Sequence, residues 1–365
     1  MLGLLHLRAP HLVQIERLMF HMQREVTFKD KEVLLSHGSG GRASRRLVEG
    51  LLLPLFDSRQ LERLGDAAVV DLGDDKAVVT TDSFVVNPRN FPGGSIGTLA
   101  VNGTLNDLAV SGAEPVALTL AIILEAGLSG EELHREMAAV ADTANGAGVP
   151  VVAGDTKVVE HGSADGMFIT TTGIGRLHPD ASLSPDRACQ GDRVLLSGAI
   201  GDHGMTILLE RGQLDIRSDS LRSDTRSIWP LVKALLDEFG QHVKWMRDPT
   251  RGGLATTLNE FVISAGLEVV LEESQVIVHE PVRGACEILG LDPFHIANEG
   301  QFVAIVSNSI ADEAEALLRS LSGGDEARLI GSLRRSDIPN VICNTPYGAS
   351  RVLDMLTGDP LPRIC

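Results

Sequence analysis

Met246-Arg247-Asp248-Pro249-Thr250-Arg251-Gly252-Gly253 runs directly into Leu254-Ala255-Thr256-Thr257-Leu258-Asn259-Glu260-Phe261-Val262. Leu254, Leu258, Phe261 and Val262 recur at helical spacing, which predicts a helix over 254–264 ended by Gly266. Two arginines and a glycine pair then stand at a helix N-terminus, a place where backbone N–H groups and guanidinium groups converge on an anion. Asp248 and Arg251 fit two roles equally, direct ligand contact or an internal ion pair that shapes the turn.

Moving outward, strands over 267–271, 302–306 and 329–333 alternate with helices over 282–289 and 311–321, and Asn298-Glu299-Gly300 forms a polar turn before a buried strand. Upstream lie a helix over 229–239, a polar linker over 215–226, a helix near 206–211 and a strand over 192–197. This alternation predicts an α/β domain over 190–345. Residues 178–191, with two prolines and little periodicity, mark a boundary to a first domain over 31–180.

In that first half, Val33-Leu34-Leu35 leads into Ser36-His37-Gly38-Ser39-Gly40-Gly41-Arg42 and a helix over 44–52. Residues 67–70 and 77–81 read as paired strands joined by an acidic turn that contains Asp75, and the second strand delivers Asp82. Oxygen donors so grouped suit a hard cation. The helix predicted over 95–110 places Asn102 and Asn106 on one face beside Asp107, where they line a site or face solvent. Val149-Pro150-Val151-Val152-Ala153 reads as a buried strand with Gly154-Asp155-Thr156-Lys157 at its end, the position where open α/β sheets bind ligands.

The formal net charge of −17 argues against nucleic-acid and anionic-membrane partners. Cys189, Cys286, Cys343 and Cys365 are too far apart for a zinc site or a disulfide framework, which fits a reducing compartment and predicts a cytoplasmic protein. No apolar run approaches the ~20 residues of a membrane span. Residues 1–30 read as an N-terminal extension, too interrupted by charge and proline for a signal peptide. No Walker-type loop, nucleophile elbow or zinc-protease motif occurs.

Residues 346–365 read as a flexible tail. Residues 349–356 could make two helical turns, but Pro360 and Pro362 cannot continue them. The chain then ends on Cys365, either a frayed terminus or an arm that carries a thiol-bound group into a pocket.

In this order, His37-Gly38-Ser39-Gly40-Gly41, Gly73-Asp74-Asp75, Thr81-Asp82-Ser83, Asn106-Asp107-Leu108-Ala109, Gly154-Asp155-Thr156-Lys157, Arg247 to Gly253 and Asn298-Glu299-Gly300 resemble one superfamily. It comprises ATP-dependent enzymes that include aminoimidazole ribonucleotide synthetase, selenophosphate synthetase and thiamine-monophosphate kinase. Pro362-Arg363-Ile364-Cys365 is similar to the tail of the hydrogenase-maturation carbamoyl dehydratases, the HypE family. No cysteine stands in the glycine-rich region, unlike a selenophosphate synthetase, and a non-catalytic nucleotide-binding scaffold fits the acidic strand ends poorly.

The resemblance implies two α/β domains: an N-terminal mixed-sheet domain that pairs across a homodimer, and a C-terminal α/β sandwich. It implies ATP and Mg²⁺ as cofactors, a carbamoyl group placed on Cys365 by the carbamoyltransferase HypF, and transfer of cyanide to a HypC–HypD complex for the iron centre of [NiFe] hydrogenase. By residue, it implies Gly38, Gly40, Gly41, Asn106, Asp248 and Arg251 around the nucleotide, and Asp75, Asp82, Asp107 and Asp155 on the metal. Lys157 would act on phosphate charge or the thiocarbamate oxygen, and Glu299 would be the base.

Overall fold

The computed structural model describes residues 28–38, 41–56, 64–72, 76–212, 218, 220–356 and 363–365. The expected roles of residues 1–27, Gly40 and Asp75 lie outside the described residues. The architecture is two-domain α/β with mixed sheets.

The first domain begins with helix α1 (Gly41–Leu47), which continues as helical turns through Phe56. Strands β1 (Ala68–Asp71) and β2 (Lys76–Phe84) pair antiparallel with Asp71 opposite Lys76, as two short apolar runs joined by an acidic turn predict. After a small hairpin, β3 (Asn90–Phe91) and β4 (Gly94–Ser95), comes α2 (Ile96–Val110). The Ser95 side chain caps it by accepting the Thr98 N–H, and Gly112 turns the chain away at a φ of 76°. Strand β5 (Ala113–Glu125), helix α3 (Gly130–Gly146), β6 (Val151–Val159) and β7 (Met167–Leu177) complete a sheet in the order β1-β2-β7-β5-β6. Only β5 and β6 run parallel.

Helix α2 lies across one face of this sheet and also meets the second domain. It is apolar on nearly all sides because nearly all of it is buried. Leu99, Leu105 and Leu108 are at most 1% exposed, each burial stabilising the fold by ~1.5–3 kcal/mol. Gly103 allows the helix to approach β2, since a Cβ there would stand 2.9 Å from the Phe84 ring.

The second domain contains β8 (Arg193–Leu196), α4 (Asp202–Glu210), α5 (Trp229–Phe239), β9 (Val243–Arg247), α6 (Gly253–Ala265), β10 (Glu268–Glu272) and α7 (Glu280–Leu289). Then follow β11 (Val303–Val306), α8 (Ala311–Ser320), β12 (Arg328–Arg334), β13 (Val341–Asn344) and β14 (Ser350–Val352). Its seven strands run β14-β13-β10-β12-β8-β11-β9.

Three expectations are corrected. Residues 349–356 are not helical: Ser350–Val352 pairs antiparallel with β13, and Leu353 is buried beneath it. Val151–Val159 is an edge strand exposed along eight of its nine residues, so Gly154 to Lys157 sit mid-strand and not at a buried strand's end. The 215–226 linker is, in its described part, a strap packed between the domains, because Leu221, Ser223 and Thr225 are buried. Strands β9 and β13 add to the expected set, their runs of five and four residues being too short to show a period in the sequence. Among the described residues, no helix is long and apolar enough to cross a membrane.

Candidate active site

Three carboxylates meet where the domains join. Asp66 precedes β1, Asp107 ends the polar row of α2, and Asp248 follows β9. One oxygen from each lies within 4.8 Å of the other two. The Thr80 hydroxyl is 2.8 Å from both Asp107 Oδ2 and the Asp66 carbonyl oxygen, so β2 holds the group from below. Asp82, also on β2, lies 3.4 Å from the Thr104 hydroxyl and adds its charge nearby.

So much negative charge in little water is costly. Burial, then Asp82 and Asp248, push Asp107 well above the ordinary carboxylate range. Burial and Asp66 push Asp248 up to about 8. Burial also raises Asp66, although Arg247 opposes this through a 2.7 Å contact to Asp66 Oδ1. Oxygen donors in this arrangement, short of compensating positive charge, suit a hard divalent cation. Sequence reasoning missed Asp66. Its signal was a Gly-Asp pair immediately before a strand, overshadowed by the Gly73-Asp74-Asp75 turn.

Glu299 stands at the rim, 3% exposed, on the turn before β11. Its Oε2 faces α2 and would lie 3.9 Å from a Cβ built on Gly103. Burial, then Asp248 and Asp224, hold its carboxyl well above the usual range. The turn is pinned from both sides. Asp224 accepts the N–H groups of Glu299 and Gly300 at 3.0 and 3.1 Å. Asn106 donates to the Glu299 and Arg226 carbonyls at 2.9 Å each, and accepts the Ile228 N–H at 2.9 Å. Asn106 is therefore a bracket between the domains and not a nucleotide contact, because its amide is spent on backbone. Losing one such buried partner costs ~1–3 kcal/mol.

Arg251 does not pair with Asp248 as an ion pair would require; its guanidinium is 3.4 Å from the Gly38 carbonyl, to which it donates. Gly41, at φ 70°, packs on the C-terminal segment, where a Cβ would come 2.6 Å from the Leu356 carbonyl oxygen. Gly38 thus borders the site, while Gly41 serves a close backbone approach.

The last residues are docked, contrary to the loose arm expected. The Val85 N–H donates to a terminal carboxylate oxygen of Cys365 at 3.0 Å, and the Asn87 N–H to the Arg363 carbonyl at 3.3 Å. Arg363 contacts Asp165 at 2.6 Å, and Ile364 is 3% exposed in a core that includes Phe84, Val86 and Phe91. Negative charge on the terminal residue, Cys365, is the largest influence raising the Arg251 pKa, ahead of Asp82, Glu299 and Asp107.

Asp155 and Lys157 are not brought into this group. They bind each other at 2.7 Å, each about two-thirds exposed. Asp82 pairs in register with Thr171, Leu120 and Gly154, on the face covered by α2. Asp155 and Lys157 point to the other face, three strands and ~14 Å across the sheet.

The family model for AIR synthase related protein, N-terminal domain, matches residues 64–177, and that for the C-terminal domain matches residues 190–344. Carbamoyl dehydratase HypE of Azotobacter vinelandii is 46% identical over 337 residues, covering 92% of this chain and 98% of that protein. A crystal structure of hydrogenase maturation protein HypE in complex with ATP is 45% identical, with a TM-score of 0.76, covering 92% and 100%. A HypE–HypF complex matches at 42% identity and a TM-score of 0.80, covering 85% of this chain and 99% of that one. The docked terminal cysteine, the carboxylate cluster and these matches together place the chain in the HypE family, the ATP-using carbamoyl dehydratases of hydrogenase maturation.

Proposed function

We propose that Cys365 is the carrier on which this chain performs its dehydration, and the single observation supporting this role is the docking of the C-terminal segment, with Cys365 paired to the Val85 backbone and Ile364 buried beside it. The substrate is a thiocarbamate on its sulfur, S–C(=O)–NH2, loaded by HypF. Its oxygen cannot leave easily as hydroxide. Transfer of the ATP γ-phosphoryl group to that oxygen, with loss of one N–H proton, gives an S–C(=NH)–O-phosphate and ADP. Loss of the second N–H proton and departure of phosphate then leave S–C≡N. The cyano group passes onward to a HypC–HypD complex.

Glu299 receives a nitrogen-bound proton; its raised pKa makes the ionised form a stronger base than a solvated carboxylate. Arg251 stabilises charge on the transferred phosphoryl group. Asp66, Asp107 and Asp248, with Asp82 beside them, would hold Mg²⁺, which supplies charge neutralisation at the phosphates when bound. Asp155 and Lys157 act across a homodimer. The uncovered β6 edge, with Val152 60% and Val158 67% exposed, leaves backbone groups and apolar surface for a second copy.

Phosphate release tests the carrier role. HypF-loaded protein is expected to release one phosphate from ATP per loaded Cys365, whereas Cys365→Ala releases none yet still binds ATP. Equal phosphate release by Cys365→Ala under loading conditions contradicts the proposal.

A further inference from the structure

His203, at the start of α4, is completely buried, yet it plays no part in the chemistry above. Its Nε2 lies 2.9 Å from the Ile364 carbonyl oxygen and its Nδ1 lies 2.8 Å from Ser223 Oγ. A carbonyl can only accept, so Nε2 carries the hydrogen. Burial holds the imidazole pKa down, which keeps the ring neutral and leaves Nδ1 to accept the Ser223 hydroxyl hydrogen. Ser223 Oγ in turn accepts the Thr225 N–H at 3.1 Å, so the relay has one direction: Ser223 to His203 to Ile364. The Phe91 ring meets the imidazole edge-on at 5.6 Å and fixes its plane.

The same strap continues directly into Asp224, which holds the Glu299 turn. Arg211 supports the docked segment from the far end of α4, with its guanidinium donating to the Arg363 and Asn87 carbonyls at 2.9 Å each. Ser223, which orients His203 on the Ile364 carbonyl, and Asp224, which sets the Glu299 turn, are therefore neighbours on one strap.

Building on the carrier role of Cys365, we propose that His203 and Ser223 form a latch that holds the C-terminal segment in the docked position, and so are positioning residues for dehydration but not for carbamoyl loading. Loading by HypF requires the cysteine outside the pocket; dehydration requires it inside. A latch that grips the Ile364 carbonyl acts on backbone, so it holds the tail whatever group the sulfur carries.

The test separates the two steps in the full-length protein. Cys365 reactivity toward iodoacetamide is followed by the mass of the C-terminal peptide, with exposed Cys189 as the internal reference. In His203→Ala, labelling of Cys365 is expected to rise roughly fivefold, the worth of one net hydrogen bond. Loading by HypF should match or exceed wild type, ATP binding should not change, and conversion of loaded thiocarbamate to thiocyanate should slow by a similar factor. His203→Gln, whose amide N–H can reach the same carbonyl, should recover most of both effects, and Ser223→Ala should move them in the direction of His203→Ala. Wild-type labelling and conversion in His203→Ala overturn the latch, as does a His203→Gln variant no better than alanine. Should His203→Ala fail to fold, Ser223→Ala and His203→Gln decide by the same two rates. Labelling needs neither partner nor ATP, so it judges the latch even if Cys365 is never carbamoylated, a result that would instead refute the carrier role.

Discussion

The carboxylate cluster at the domain junction and the Asp155–Lys157 strip on β6 use similar side chains and reach opposite states. In the cluster, Asp107 and Asp248 lose water without gaining enough positive charge, and their pKa values rise. On the strip, Lys157 and the Thr156 N–H bind Asp155 in open solvent, and its pKa falls. The first arrangement crowds carboxylates that lack matching positive charge; the second is an ion pair already satisfied in solvent. Equal prominence in the sequence therefore does not mean equal membership of a site.

The largest effect is expected at Glu299. Glu299→Gln should slow conversion of loaded thiocarbamate by ~10²–10⁴-fold, the usual worth of a positioned base, with ATP binding retained. Single-turnover analysis of the C-terminal peptide measures it, and near-wild-type conversion would remove Glu299 from the chemistry.

Next comes Asp107→Asn. Relieved of a buried charge, the variant without Mg²⁺ should melt at or above the wild-type temperature. Saturating Mg²⁺ at 100 times Kd should stabilise wild type by ~2.7 kcal/mol and the variant by far less. Calorimetry with and without Mg²⁺ checks this, and an undiminished Mg²⁺ response in the variant would dissociate Asp107 from cation binding.

Lys157→Ala should leave stability within ~0.5 kcal/mol, as for other exposed ion pairs, while lowering conversion. If Lys157 serves the partner's site, mixing Lys157→Ala with Glu299→Gln should restore about a quarter of wild-type conversion, since half the dimers are mixed and each keeps one intact site. Two inactive variants that stay inactive when mixed would place Lys157 outside a shared site.

The smallest effect is a difference in pH dependence. Asp202, beside His279, is raised to about 6, chiefly by burial. Because the folded protein binds this proton more tightly, the stability it contributes is present below about pH 4 and is lost as pH rises through about 6. Asp155 has the opposite sign: its contribution is present at neutral pH and is lost as pH falls through its lowered folded pKa. Subtracting the melting curves of Asp202→Asn and Asp155→Asn from wild type between pH 3 and 7 should give slopes of opposite sign.

Much of this was legible from local pattern. Helical periodicity located α2, α5, α6 and α8; Gly266 marked a true C-cap, and Gly112 the left-handed residue just beyond the Ser111 cap. Asp82, Asp107, Asp248 and Glu299, which the fold brings close enough to influence one another, stood out in the sequence because each stands next to a turn or on a polar row of an apolar helix. What failed was information carried by distant partners. β14 is a strand because β13 offers it an edge. The strap carrying Ser223 and Asp224 reads as polar linker because its partners, His203, Glu299 and Gly300, are remote in sequence. Asn106 looks like a ligand and is a bracket, since only the folded chain shows where its amide is spent. The terminal residues look loose because the backbone they pair with, Val85 to Asn87, is nearly three hundred positions away.

The mass of the C-terminal peptide during one cycle is the decisive observation. Protein incubated with HypF, carbamoyl phosphate, ATP and Mg²⁺ should show Cys365 gaining a carbamoyl group and then losing the mass of one water, the second step only when ATP and Mg²⁺ reach this chain. An unmodified Cys365 under conditions that mature a hydrogenase, or a loss of water without ATP, would contradict the assignment of Cys365 as carrier in an ATP-driven dehydration.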